Sequence, residues 1–336
     1  MGRSKLCMKI FLLEDITTIE EVESKILNSN YKEKLFIAEK YLKMAEELSE
    51  EEKTLHYKWD METKIIEDML VSNIGGEATR KKTLEIISNL EYSKRTKRDA
   101  QGKLIPREER VGNVAVKVLF FKMEESIYCI IFSSNEIYIN RAKKLIGESF
   151  IKSIDSRFEL EADLFNWLFY KYKDNCGVLA QNLQINSITG FIGNSRDEHN
   201  IFKSVSDQTS DLTVTKAFIS NGEQFRNVTV RIMTEEVQMV FSIDDISNVD
   251  LFLNLSQVNY NTSDEGRLLP VYLYTILIPM IKRVYNENAK QFLDIDKKQF
   301  LNKMGLEVIM SIMENSDISI KEINTQCVQP DLVLES

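Results

Sequence analysis

The spacing of apolar positions changes several times along the chain, and each change marks an element. Loosely alternating large apolar residues from Lys5 to Leu13 predict an opening β-strand. Thr17 and Glu20 have capping-box spacing, and Ile19, Val22 and Ile26 give an apolar helical face that stops at Asn28, Ser29 and Asn30. Leu35, Ala38, Leu42, Ala45 and Leu48 predict a second helix from about Glu33 to Leu48. Ser49 with Glu52 caps a third, which turns Leu55, Trp59, Ile66, Met69 and Leu70 inward and ends at Gly75 and Gly76. Leu84, Ile87 and Leu90 give a fourth helical run.

Gly102 and Pro106 forbid a continuous helix beyond it, so residues 94–110 read as a long exposed loop. The strongest β pattern follows. Val114, Val116, Val118 and Phe120 share one face, Leu119 and Phe121 the other, and Ile127 to Phe132 is apolar on both faces after a turn at Met123 to Glu125. A hairpin apolar on both faces belongs at the centre of a sheet covered on both sides. A helix from Ser134 to about Gly147 buries Ile139, Ala142 and Ile146 and exposes Arg141, Lys143 and Lys144.

The aromatic-dense stretch from Phe150 to Tyr172 places Leu160, Leu164, Trp167 and Leu168 at helical spacing, which predicts core. Glu159, Glu161 and Asp163 flank it, and that argues against base stacking there. The period then becomes two: strands are expected around Leu183 to Ile188, Leu212 to Phe218, Val228 to Ile232, Val237 to Ile243 and Val249 to Leu255, antiparallel with one wet face. Leu268 to Ile281 carries no charge but contains Pro270 and Pro279, and reads as a buried helix or a homodimer seam. A last amphipathic helix runs from about Lys297 to Met313, and the tail from Gln329 to Ser336 reads as loose. The expected fold class is therefore α+β: a helical N-terminal part, a central apolar β-hairpin, an antiparallel β-rich second domain and C-terminal helices. The expected division is 1–173, with a basic loop at 92–112, and 174–336.

Charge changes this picture at one place. From Arg80 to Arg110 ten basic residues face five acids, a segment of +5 in a chain of −9, which leaves −14 elsewhere. Lys and Arg clustered in this way can release counterions from a polyanion. The competing reading is a solvated loop. The candidate nucleic-acid contacts are Lys94, Arg95, Lys97, Arg98, Lys103, Arg107 and Arg110 from the loop, with Arg141, Lys143 and Lys144 from the following helix.

Other chemistry is sparse. Cys7, Cys129, Cys176 and Cys327 lie far apart with no neighbouring His, suggesting neither a zinc site nor a disulfide framework, and reduced thiols point to the cytoplasm. Glu14 and Asp15 follow the first apolar run at once, unlike a signal peptide. No phosphate-cradling or dinucleotide loop, nucleophile elbow or H-E-x-x-H is present. His56 reads as structural, Gly190 to Gly193 as a turn with KH-like spacing, and Arg196 to His199 as a polar loop without triad logic. Glu23 with Lys25, or Glu159, Glu161 and Asp163, could serve a metal-dependent nuclease, although such spacings arise readily among 52 acids.

Only 4 Pro and 12 Gly beside abundant Ile, Asn, Lys and Glu suggest an AT-rich bacterial genome, and the expectation is a cytoplasmic protein, homo-oligomeric, that binds nucleic acid without catalysis in phage defence or regulation. No cofactor, metal or membrane contact is expected. Two alternatives stand beside it: a protein-interaction component of a larger complex, and a nuclease with scattered carboxylate ligands.

Overall fold

The computed structural model describes residues 5–36, 48–72, 74, 78–96, 98–152, 155–194, 201–206, 208–259 and 265–322. In chain order the strands are β1 Lys5–Leu13, β2 Tyr31–Lys34, β3 Thr54–Ser72, β4 Ala78–Ser93, β5 Val111–Met123, β6 Ser126–Ile131, β7 Val178–Ala180, β8 Leu183–Asn194, β9 Ile201–Val205, β10 Gln224–Met233, β11 Val237–Asp244, β12 Val249–Phe252 and β13 Gln257–Val258. The helices are α1 Ile19–Glu21, α2 Arg107–Arg110, α3 Glu136–Ile146, α4 Ala162–Asp174, α5 Thr213–Ser220, α6 Glu265–Tyr272, α7 Ile278–Gln291 and α8 Lys297–Ser316. Helix and strand make up 38% and 40% of the chain, the sheet is antiparallel and the C-terminal part is helical, so the mixed class expected from the pattern holds.

Two compact units divide the chain: residues 1–160 with 234–280, and residues 161–233 with 281–336. Each unit therefore draws on two stretches of chain.

In the first unit the strand order is β2-β3-β4-β5-β6-β1-β12-β11, with β13 on β11. The β5–β6 hairpin is central, as its two apolar faces require. Val118, Phe120, Ile127, Cys129 and Ile131 pack with Ile19, Val22 and Ile26 of the first helical turns and Ile139, Ala142 and Ile146 of α3. On the other face Phe121 stacks on Tyr128, Tyr128 meets Phe158 edge-on, and Phe158 meets Tyr274. All of these side chains are within a few per cent of full burial, and each large aliphatic or phenylalanine side chain among them contributes about 1.5–3 kcal/mol relative to exposure.

The largest difference from the expected pattern lies at residues 54–93. The third and fourth predicted helices are instead the long strands β3 and β4, paired from Tyr57↔Leu90 to Ser72↔Ala78. Both runs fit either period. Leu55 and Trp59 suit a helix, but buried Tyr57 between them completes an alternating face, and buried Ile86 rather than Ile87 continues Leu84 toward Leu90. Tertiary pairing decides such ambiguous runs. The Ser49–Glu52 capping contact does form, Glu52 N–H donating to Ser49 Oγ at 3.3 Å, but it closes one turn ahead of β3 and no helix follows. Of the second predicted helix, Glu33 and Lys34 instead end strand β2, and residues 37–47 lie outside the described residues. The first capping box is displaced by one residue, with Thr18 Oγ1 accepting from Glu21 N–H and the Glu21 carboxylate from Thr17 N–H.

In the second unit β10-β8-β7 are neighbours and β9 pairs with β8. Leu212 to Phe218, expected as a strand, falls almost wholly within the helix Thr213–Ser220, which buries Thr215, Phe218 and Ile219 at helical spacing. Gly190 and Gly193 stand within β8, between β9 and β10, and form no turn. A Cβ on Gly193 would meet the Phe218 ring at 2.3 Å, so glycine there admits the close packing of Phe218 with Phe191 and Phe225.

The uncharged stretch from Leu268 is buried helix, as expected for the first of its two readings. Pro279 does not break it. A π turn, Leu273–Leu277, stands just before the proline, and widening the turn lets the helix continue past a residue without an N–H. The helical run Glu265–Ser316 is long and apolar enough to cross a membrane by length and composition, but 67% of its most apolar window is buried within the protein.

Candidate nucleic-acid interface

Several of the cations singled out by sequence lie near one end of the first unit's sheet. Lys34 pairs with Thr54 in the β2–β3 ladder, β4 ends at Ser93 opposite Val111, and Lys94 N–H donates to Arg110 O at 2.8 Å. Helix α3 joins this end through Tyr138, whose ring centroid lies 6.3 Å from that of Tyr92. The loop and the helix face, separate in sequence, are thus neighbours.

The stretch 94–110 is more ordered than the exposed loop expected from its composition. Arg98 bridges to Leu104, Asp99 Oδ1 accepts from the N–H groups of Gln101 and Lys103, and Gly102 takes a φ of +83° that closes the turn. Pro106 then starts α2, the short helix that carries two structural arginines. Arg107 donates to the carbonyls of Glu51 and Thr54 and, at 2.5 Å, to the Glu91 carboxylate. Arg110 is 1% exposed and donates to Ile105 O and Glu52 O. Burial lowers the pKa of its guanidinium. Both arginines fasten residues 49–54 to the loop and cannot reach a ligand without breaking these bonds.

Of the remaining candidates, Lys94, Arg95 and Lys103 are exposed, and Arg98 donates to Gly102 O. Lys97 lies outside the described residues. On α3 all three cations are half-buried over aromatic rings: Arg141 over Tyr57 at 6.0 Å, Lys143 over Phe11 at 4.9 Å and Lys144 over Tyr31 at 5.9 Å. Lys144 also pairs with Glu33 at 2.5 Å. Glu108 and Glu109 are exposed on α2, so the surplus of positive charge in solvent is smaller than the sequence count.

Around Glu33 the electrostatics are tightly linked. Burial pushes its carboxyl up, but the hydrogen bonds from Lys144 and from the Tyr57 hydroxyl outweigh it and hold the pKa below 4.5. Burial, then the Glu33 bond, raises the Tyr57 phenol, and the Glu33 bond raises Lys144. Lys144 is thereby kept cationic.

Sequence reasoning missed Lys32 and Lys34, both exposed on β2, because Lys34 stood at the start of a predicted helix and Lys32 in the connection just before it. It also missed the paired rings of Tyr31 and Tyr57. The available signal was alternation within Tyr31–Lys34, too short to outweigh the helical spacing that follows.

Among the described residues no three His, Cys, Asp or Glu side chains converge as metal ligands. The carboxylates named for a nuclease have other partners: Glu23 pairs with Lys64, Asp163 with Lys297, and Glu161 accepts from Tyr285. His56, 9% exposed, has Nε2 2.8 Å from Glu51 Oε1, and its main-chain N–H donates to the Glu91 carboxylate, a structural setting. Residues 196–199 lie outside the described residues. In the second unit a cleft of about 240 Å³ is lined by Tyr170, Lys171, Asn175, Asn288, Gln291 and Asp296 among others, none of them a sequence candidate. No family model and no curated protein matches this chain.

Proposed function

We propose that this protein binds nucleic acid without cleaving it, through the end of the first unit's sheet that carries Lys94, Arg95, Lys103, Lys32 and Lys34. The observation that supports this reading is the ring contact between Tyr92 and Tyr138, which brings the basic loop and the basic face of α3 to one surface. Cations set among aromatic rings suit a ligand with both phosphates and bases. A cytoplasmic role in phage defence or regulation, as a homo-oligomer, is part of the same proposal. The test is binding of purified protein to labelled DNA and RNA across a salt series. Changing Lys94, Arg95 and Lys103 together to Ser should weaken binding at least tenfold while leaving the far-ultraviolet circular dichroism unchanged. Equal binding by this variant would sink the reading.

A second reading, a protein-interaction component, is favoured by one observation. Leu306, Ile309 and Met310 on α8 are each more than half exposed and share a helical face. In this reading the contact runs through α8 rather than through Leu268 to Ile281, whose side chains are mostly buried.

A further inference from the structure

Tyr31 and Tyr57 form a feature that cation counting does not explain. Tyr31 opens β2, the outermost strand of the first unit's sheet, which among the described residues pairs only with β3. Its ring lies 12° from parallel to the Tyr57 ring, with centroids 5.7 Å apart. Tyr57 is fully buried and its hydroxyl donates to Glu33, so the ring beneath is fixed. Tyr31 itself keeps 36% of its surface in water.

An aromatic ring already held flat on an immobile neighbour has little rotamer freedom left to lose, and stacking a base upon it costs little further ordering. The charges beside it suit the rest of a nucleotide. Lys144 Nζ is 5.9 Å from the Tyr31 ring centre, and Arg141 lies over Tyr57. Within a duplex each base is stacked on its neighbours and paired, and its face is unavailable; only an unpaired base can lie on a protein ring. Duplex binding would draw instead on a long array of phosphate contacts, and few of the cations here are free to make them.

We propose that the interface is built for single-stranded nucleic acid, with Tyr31, laid on Tyr57 at the sheet edge, as the platform for one base. This inference rests on the nucleic-acid reading above. The experiment measures anisotropy of a labelled oligo-dT 20-mer, an oligo-rU 20-mer and a 20-bp duplex with the full chain and with Tyr31→Ala, Tyr31→Leu and Tyr31→Trp. Tyr31→Leu keeps apolar cover over Tyr57 without a π face, so a folding defect is separated from a stacking defect, and thermal unfolding of each variant is recorded alongside. The expected result is tighter binding of at least one single strand than of the duplex. Tyr31→Ala and Tyr31→Leu should then lose roughly tenfold or more in single-strand affinity, the size of one base–ring stack, and Tyr31→Trp should retain it. Equal affinity for duplex, or unchanged single-strand binding by both Tyr31→Ala and Tyr31→Leu, overturns the inference. In that event loss of duplex binding in the Lys94, Arg95 and Lys103 variant would leave the broader reading standing, whereas absence of binding to all three probes defeats both.

Discussion

Arg110 holds its guanidinium almost wholly out of water, and its bonds go to two main-chain carbonyls, those of Ile105 and Glu52. Removing it strands both acceptors in a dry setting, at about 1–3 kcal/mol for each unsatisfied group. Arg110→Ala is therefore expected to lower unfolding free energy by about 3 kcal/mol in urea titration, while Lys94→Ser, on the surface, changes it by less than about 0.5 kcal/mol. The two residues carry the same charge and were indistinguishable as candidates in the sequence, because burial depends on which chain segments fold over them. Glu33 supplies a second test. Its folded pKa lies below the ordinary 4.5, so its charged form stabilises the fold. That contribution is complete above 4.5 and is lost as pH falls through the lower folded value. Glu33→Gln should be less stable than the wild type at neutral pH, with the difference shrinking below pH 4.5 when denaturation is followed across an acid series.

At the scale of elements, legibility tracked how many physical constraints agreed. The β5–β6 hairpin was readable because Val118 and Phe120 demand cover on one face while Leu119 and Phe121 demand it on the other, and no helix satisfies that spacing. Helix α3 was readable from its apolar face and from Gly147, which ends it at φ +108°. β3 and β4 were not, since Ile65–Ile66 and Ile86–Ile87 doublets satisfy both periods, and the choice is made by pairing with β5 far along the chain. The candidate interface was half legible for the same reason: its loop and helix stood out by charge, but β2 was concealed within a helical pattern. Helix α8 carries the element-scale prediction. Its Leu306, Ile309 and Met310 face is exposed, and burying such a stripe against another copy is favourable by the area it removes from water. Leu306→Glu with Met310→Glu should shift any oligomer toward monomer in analytical ultracentrifugation; an unchanged mass distribution in an oligomeric wild type would exclude this face from the contact.

For the molecule as a whole, the quantity that separates a basic strip in sequence from one in space is the salt dependence of binding. Ten phosphate-facing cations would give a slope of log affinity against log salt of about −7 on a single strand, whereas the five exposed cations of the proposed interface give about −3.5. The shallow slope is the expected outcome of the titration, and a steep one would mean that Arg107 and Arg110 leave their internal carbonyls on binding.

The chain crosses between the two units after residues 160, 233 and 280, and β1 at the very start pairs with β12 about 245 positions later. During synthesis, then, the first unit cannot close when its first 160 residues have left the ribosome; β1 must wait for its β12 partner through the translation of an entire intervening segment. Contacts so distant in sequence are slow to form, and until they do, the edge of β1 that pairs with β12 stands open to other chains. Assembly of this protein is a matter of timing as much as of affinity between its strands.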